Sequence, residues 1–180
     1  VDLPIVGAID PVSRAAARTT RSRRVGVIGT QGTIASGAYE RAIHAVASDI
    51  DVVSRACPLF VPFVEEGWLD HAAVQLVAHD YLNSLASAGI DTLVLGCTHY
   101  PLLKPIISAA VGPDIQLIDS AEETAAETAR MLTDRGLRHP PRTDRATLRF
   151  IASDVPDQFL RLGQRFLGSA IHNVETVTLG

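Results

Sequence analysis

Short apolar runs alternate along this chain with longer stretches whose apolar residues recur at helical spacing. Residues 24–29 read as a buried strand, 92–95 as a second strongly apolar one, 51–56 as strand-like, and 115–118 as another strand. Residues 3–9 read as a further strand at the amino end. Between them lie helix-period segments. Residues 37–47 place Tyr39, Ile43 and Val46 on one face, and residues 65–88 place Leu69, Ala72, Leu76 and Tyr81 inward. A helix over 102–111 is entered past Pro101, with Pro105 tolerated in its first turn. Ser120 with Glu123 three residues on reads as a capping box for a helix over 121–135, which Gly136 ends. The Pro-rich, charged residues 139–145 read as a linker. A strand (147–152), a helix (157–167) and a last strand (174–179) follow. Strand–helix alternation predicts βαβ units, hence an α/β fold with a mostly parallel sheet flanked by helices. Ligands of such sheets bind beyond the carboxyl ends of the strands, so the residues after each strand matter most.

Composition narrows the function classes. The 180 residues are 47% hydrophobic and 20% charged, enough apolar side chain for a substantial core. A net charge of −4 argues against a nucleic-acid or anionic-membrane partner. The basic cluster Arg18, Arg21, Arg23 and Arg24 reads as a solvated loop. No apolar run approaches the roughly 18 residues of a membrane-spanning helix. No signal-peptide pattern is visible. Two cysteines make no disulfide framework, so a reducing, cytoplasmic setting is expected. Cys97 and His99 have no second ligand pair, so no metal site is expected.

Three strand ends hold candidate chemistry. Cys97 follows an apolar strand and Gly96, and precedes Thr98 and His99. A thiol there can meet backbone N–H groups that favour the thiolate, with His99 as its proton partner. The bland reading is a buried cysteine packed as a small hydrophobe. Thr30-Gln31-Gly32-Thr33, between a strand and a helix, offers hydroxyls and N–H groups to a carboxylate or phosphate, or is simply a turn with a helix cap. Neither a dinucleotide fingerprint nor a P-loop lysine is present. Glu65 and Glu66 read first as surface carboxylates. His44, His71 and His79 read as ordinary helix residues, and Trp68 as core or interface packing.

Four blocks in order resemble the glutamate racemase family, within the aspartate/glutamate racemase superfamily. They are Val27-Ile28-Gly29-Thr30-Gln31-Gly32-Thr33 with Ser36-Gly37-Ala38-Tyr39, then 56–65 (Ala-Cys-Pro-Leu-Phe-Val-Pro-Phe-Val-Glu), then Leu95-Gly96-Cys97-Thr98-His99-Tyr100-Pro101-Leu102-Leu103, and Asp119-Ser120-Ala121-Glu122-Glu123-Thr124-Ala125. The Gly-Cys-Thr-His-Tyr-Pro block is the specific one. The resemblance implies cofactor-independent interconversion of L- and D-glutamate, supplying D-glutamate for peptidoglycan. Two thiols on opposite faces of the substrate would act as base and acid. It implies that Cys97 is one acid/base and that His99 assists it. Thr98, Thr30 and Thr33 would bind substrate, and Glu65 would support the site.

The motifs of the family's first lobe, an Asp-Ser near its start, a Pro-Tyr-Gly loop and a Cys-Asn-Thr or similar motif bearing the other catalytic cysteine, are absent, and the chain begins with Val1. Cys57 is rejected as a substitute thiol, because it matches a non-catalytic family position in the same lobe as Cys97. The chain is therefore expected to be a fragment of a two-lobe, pseudo-symmetric racemase. Residues 1–9 would end a first-lobe strand and crossover, 10–118 would form the complete second lobe, and 119–180 would be a carboxyl-terminal segment of the first lobe. Helices 121–135 and 157–167 would then expose apolar faces, predicting aggregation, a homodimer or a need for the missing piece. Alternatives are a related aspartate or hydantoin racemase, or a non-catalytic remnant binding module.

Overall fold

The computed structural model describes residues 3–140 and 147–178. Two strands built almost wholly of buried residues sit at its centre: β1 (Arg24–Gly29) and β3 (Thr92–Leu95). Strands that apolar throughout need cover on both faces, which parallel sheets obtain from crossover helices. With β2 (Asp51–Ala56) and β4 (Gln116–Asp119) they form a parallel sheet in the order β2-β1-β3-β4. The α/β expectation from the alternating pattern is borne out.

Side chains alternate across this sheet with the period of two that a pleated strand imposes. Ile28, Leu93 and Leu95 enter one core, with Phe60 and Val64 of α4 (Phe60–Glu66), Val74, Ala78, Leu82 and Leu85 of α5 (Ala72–Ala86), and Ile107 of α6 (Lys104–Val111). Val25, Val27 and Val94 enter the other, with Val12, Ala15 and Ala16 of α1 (Ile9–Thr19) and Tyr39 and Ile43 of α3 (Ala38–Val46). The short α2 (Gln31–Ala35) follows β1, and α7 (Ser120–Asp134) follows β4 and packs on α1. One compact unit runs through Arg138, so it includes α7, beyond residue 118.

The second unit begins at His139. Its described part holds β5 (Ile151–Ala152), α8 (Pro156–Leu167) and β6 (Glu175–Thr176), with β5 parallel to β6 and Arg149 paired to Glu175. Ile171 is buried against Gly163, whereas Phe159, Phe166 and Leu167 are exposed. Residues 141–146 of the expected linker lie outside the described residues, as does Leu179 of the last expected strand.

Several local expectations are corrected. Residues 3–7 form no strand, and Ile9 opens α1 instead. The single helix over 65–88 is two helices, broken where Gly67 adopts φ 82°, a left-handed conformation that favours glycine. That break resets the helical phase. Val74, Ala78, Leu82 and Leu85 face inward, while Leu76 is 73% exposed and Ala72 is also exposed. Val46 and Trp68 are exposed as well, Trp68 stacked between Phe63 and His71. The cap of α7 is Asp119, whose carboxylate accepts from the Ala121 and Glu122 amides; Ser120 is the first helical residue. The strands expected over 147–152 and 174–179 shrink to two residues each.

The basic cluster is more ordered than a solvated loop. Arg18 lies in α1, Arg23 pairs with Asp49, and Arg24 pairs with Asp51 at 2.7 Å. The turn they flank is held by Asp91, just before β3. Its carboxylate accepts from the Thr20 hydroxyl (2.7 Å), the Arg21 and Ser22 amides (2.6 and 2.7 Å) and the Thr92 hydroxyl (3.0 Å). Burial acts to raise the Asp91 carboxyl, but these four hydrogen bonds outweigh it and hold the group at about 2. A depressed carboxyl stabilises the fold above its unfolded value, and the contribution disappears as pH falls through the folded value. Asp91→Ala is therefore expected to lower unfolding free energy by about 1–2 kcal/mol at pH 7, allowing for solvent screening. Between about pH 4 and pH 2 the gap to the parent should close. Urea unfolding at several pH values measures this; a gap that persists undiminished at pH 2 would contradict it.

Candidate active site

The parallel pairing of β1 and β3 brings two loops side by side at the carboxyl edge of the sheet. Ile28 is paired with Leu95, and the Gly96 amide extends the ladder by donating to the Ile28 carbonyl at 2.8 Å. A Cβ on Gly96 would lie 2.8 Å from that carbonyl oxygen and 2.9 Å from Cε2 of Tyr39. Only glycine lets the chain pass here. The next residue, Cys97, is half-buried and packs against the core beneath α4 and α5.

Beyond Cys97 the chain turns into a short 3-10 helix, Tyr100–Leu103. Burial pushes the Cys97 thiol up, and the His99 and Tyr100 amides facing its sulfur pull it back part of the way. The thiol form is thus favoured at rest, with donors already in place for the thiolate. Tyr39 is a close neighbour: burial and then the Cys97 sulfur both raise its phenol.

His99 lies between two partners. Its Nε2 is 3.3 Å from Oε1 of Glu65, and its Nδ1 is 3.3 Å from the Thr98 hydroxyl. A carboxylate only accepts, so Nε2 donates to Glu65. In a neutral ring Nδ1 then accepts from the Thr98 hydroxyl. Glu65 stands near the end of α4, which delivers it across the loop. The carboxylate read first as surface charge is therefore a partner of the site histidine.

Thr30 and Thr33 open α2 directly after β1. The Thr30 hydroxyl caps the helix by accepting from the Thr33 amide at 3.3 Å, and the two hydroxyls are 3.0 Å apart. The helix-cap reading holds, and the cap leaves two partly exposed hydroxyls at the same sheet edge as Cys97. Thr98 is exposed and borders an open groove of about 560 Å³ with Ala8 and Ser120, Thr124, Ala125 and Leu132 of α7. Of the six residues singled out from the sequence, Thr98, His99 and Glu65 form one connected cluster, and the His99 amide faces the Cys97 sulfur. Thr30 and Thr33 form a second on the adjoining loop.

Cys57 is a different kind of thiol. It is fully buried at the end of β2, and burial pushes its thiol up to about 12. A group so placed packs as a hydrophobe and takes no part in proton transfer near neutral pH. Among the described residues no group of three or more His, Cys, Asp or Glu side chains is arranged to hold a metal ion. No helix among them is long and apolar enough to cross a membrane.

Residues 1–128 match the family described as Asp/Glu/Hydantoin racemase. The chain belongs to that family. Among its relatives, the glutamate racemase of Geobacter metallireducens is 50% identical over 179 residues, covering 99% of this chain and 66% of that protein. The crystal structure of glutamate racemase from Thermus thermophilus in complex with β-chloro-D-alanine aligns with a TM-score of 0.85 at 41% identity, over 99% of this chain and 64% of that one. That of Francisella tularensis glutamate racemase in complex with D-glutamate aligns with a TM-score of 0.87 at 32% identity, over 98% and 65%. The chain thus spans just under two thirds of the length of these relatives.

The family assignment does not by itself distinguish the two cysteines; their burial does. Under native conditions iodoacetamide should modify Cys97 first, and Cys57 should react only at the rate of unfolding. Peptide mapping after timed alkylation checks this, and early modification of Cys57 would overturn the division of roles.

Proposed function

We propose that this chain serves the interconversion of L- and D-glutamate without a cofactor, with Cys97 as one of two acid/base thiols. The observation that supports it best is the placement of Cys97 between amide donors at a strand end, beside a histidine held by Glu65. In this reading His99 assists Cys97, whose thiolate removes the proton from the substrate α-carbon. Thr98, Thr30 and Thr33 hold the substrate's polar groups. The α-carbanion is reprotonated on its opposite face by a second thiol. Charge is conserved, because one thiolate becomes a thiol while the other thiol becomes a thiolate.

Cys57 is too deeply buried to be that second thiol. The reading assigns it to a part of the family's length that these 180 residues do not span. Glutamate is favoured over aspartate or a hydantoin by the likeness to glutamate racemases. The reading also includes D-glutamate supply for peptidoglycan and a cytoplasmic setting, which suits two free thiols. It includes a homodimer too, for which exposed side chains such as Leu59 and Trp68 offer apolar surface.

Circular dichroism of L-glutamate solutions follows racemisation directly, with L-aspartate and a 5-substituted hydantoin as competing substrates. In the intact protein, Cys97→Ser is expected to lower turnover by more than about a hundredfold, since a hydroxyl is a far weaker acid than a thiol. Glu65→Gln should lower kcat by about tenfold through His99. Undiminished turnover in Cys97→Ser would remove Cys97 from the mechanism. Turnover of aspartate or the hydantoin alone would replace the substrate, and binding without turnover would favour a remnant module.

A further inference from the structure

We propose that Tyr100 is a positioning residue for the Cys97 site, its buried hydroxyl tying the turn that presents Cys97 and His99 to the end of β2. The inference rests on the role proposed above for Cys97. Tyr100 is fully buried, and its hydroxyl donates to the Cys57 carbonyl at 2.8 Å, bridging 43 residues of sequence. Its own amide donates to the Cys97 carbonyl at 3.2 Å and faces the Cys97 sulfur. A shift of the ring therefore moves a donor that stabilises the thiolate.

The same ring fixes the other half of the cluster. Tyr100 meets Phe60 edge-on, with centroids 5.2 Å apart at 86°. Phe60 opens α4, the helix whose far end brings Glu65 to His99. One aromatic side chain thus joins three parts: the strand end at Cys57, the helix that carries Glu65, and the turn that carries Cys97 and His99. Packing alone does not call for the hydroxyl, since phenylalanine would fill the same space against Phe60. The Cys57 carbonyl already accepts from the Phe60 amide at 3.2 Å, so the phenol adds a directional tie to a group that is not otherwise orphaned.

Among the described residues, Tyr39 on α3 and Tyr100 itself face the Cys97 thiol, Tyr100 also faces Cys57 and Tyr81, and His99 is paired with Glu65 of α4. Next along the sheet edge, Asp119 of β4 is paired with Lys104 of α6 at 2.7 Å. The His99 and Tyr100 amides act on the sulfur to lower its proton affinity. Loosening the Tyr100 tie should therefore move the thiol's titration upward.

The test is Tyr100→Phe in the intact protein, read two ways. The first is the pH dependence of iodoacetamide alkylation at Cys97, located by peptide mapping. The second is glutamate racemisation. The expected result is a folded variant whose Cys97 alkylation midpoint lies higher, with kcat lower by about tenfold and KM within about twofold of the parent. Phe60→Leu keeps the hydroxyl but removes the ring it rests on, and should shift the midpoint in the same direction by less. If Tyr100→Phe does not fold, the Phe60→Leu shift decides. A lower melting temperature with an unchanged midpoint and unchanged kcat makes Tyr100 a packing residue only and overturns the proposal. A shifted midpoint in a protein that never racemises glutamate upholds the positioning role and refutes the proposed reaction.

Discussion

The hydrogen bond from the Gly96 amide to the Ile28 carbonyl is the constraint on which the site depends. It carries the β1–β3 ladder one step past the last strand residue. That step is possible only because residue 96 has no Cβ to strike the Ile28 oxygen or the Tyr39 ring. The loop after β3 therefore leaves the sheet at a fixed height beside the loop after β1. The half-buried thiol of Cys97, the hydroxyls of Thr30 and Thr33, and the partners of His99 all take their positions from that exit. A sheet covered on both faces makes the exit rigid, since neither strand can shift without disturbing two cores at once.

Two opposed effects set the chemistry of Cys97. Burial favours the neutral thiol, and the amides at the start of the 3-10 turn favour the thiolate. A thiol balanced this way suits a group that must gain and lose a proton in alternate directions of one reaction. Cys57 shows burial acting without amide compensation, and its thiol is driven out of the working range. The two cysteines of one unit are thus separated by local geometry, not by residue type.

How much was legible in the sequence follows the same physical division. The central strands β1 and β3 are legible because short, nearly unbroken apolar runs have few other uses, and the edge strands β2 and β4 because shorter apolar runs recur between helix-period segments. Helix α1 was not visible, because its buried stripe is Val12, Ala15 and Ala16, short side chains set among arginines that mask the periodicity. The inward face of α5 differs from the periodicity over 65–88 because Gly67 ends one helix and resets the phase of the next. Ser120 and Asp119 are both competent caps, and only backbone geometry chooses between them. In the site, Cys97, Thr98 and His99 stood out as polar residues after an apolar strand. Glu65 read as surface charge until α4 placed it against His99. Tyr100 looked like part of a motif, because its partner lies 43 residues upstream and is a backbone carbonyl, which no side-chain pattern reveals.

The proton exchange proposed between the Cys97 thiol and the α-carbon of glutamate is read out by incubating the intact protein with L-glutamate in D2O and following the α-proton by NMR. Loss of the α-proton signal in the parent, abolished in Cys97→Ser, is the predicted result. Retention of the α-proton in the parent, or equal loss in Cys97→Ser, would rule out proton transfer by Cys97.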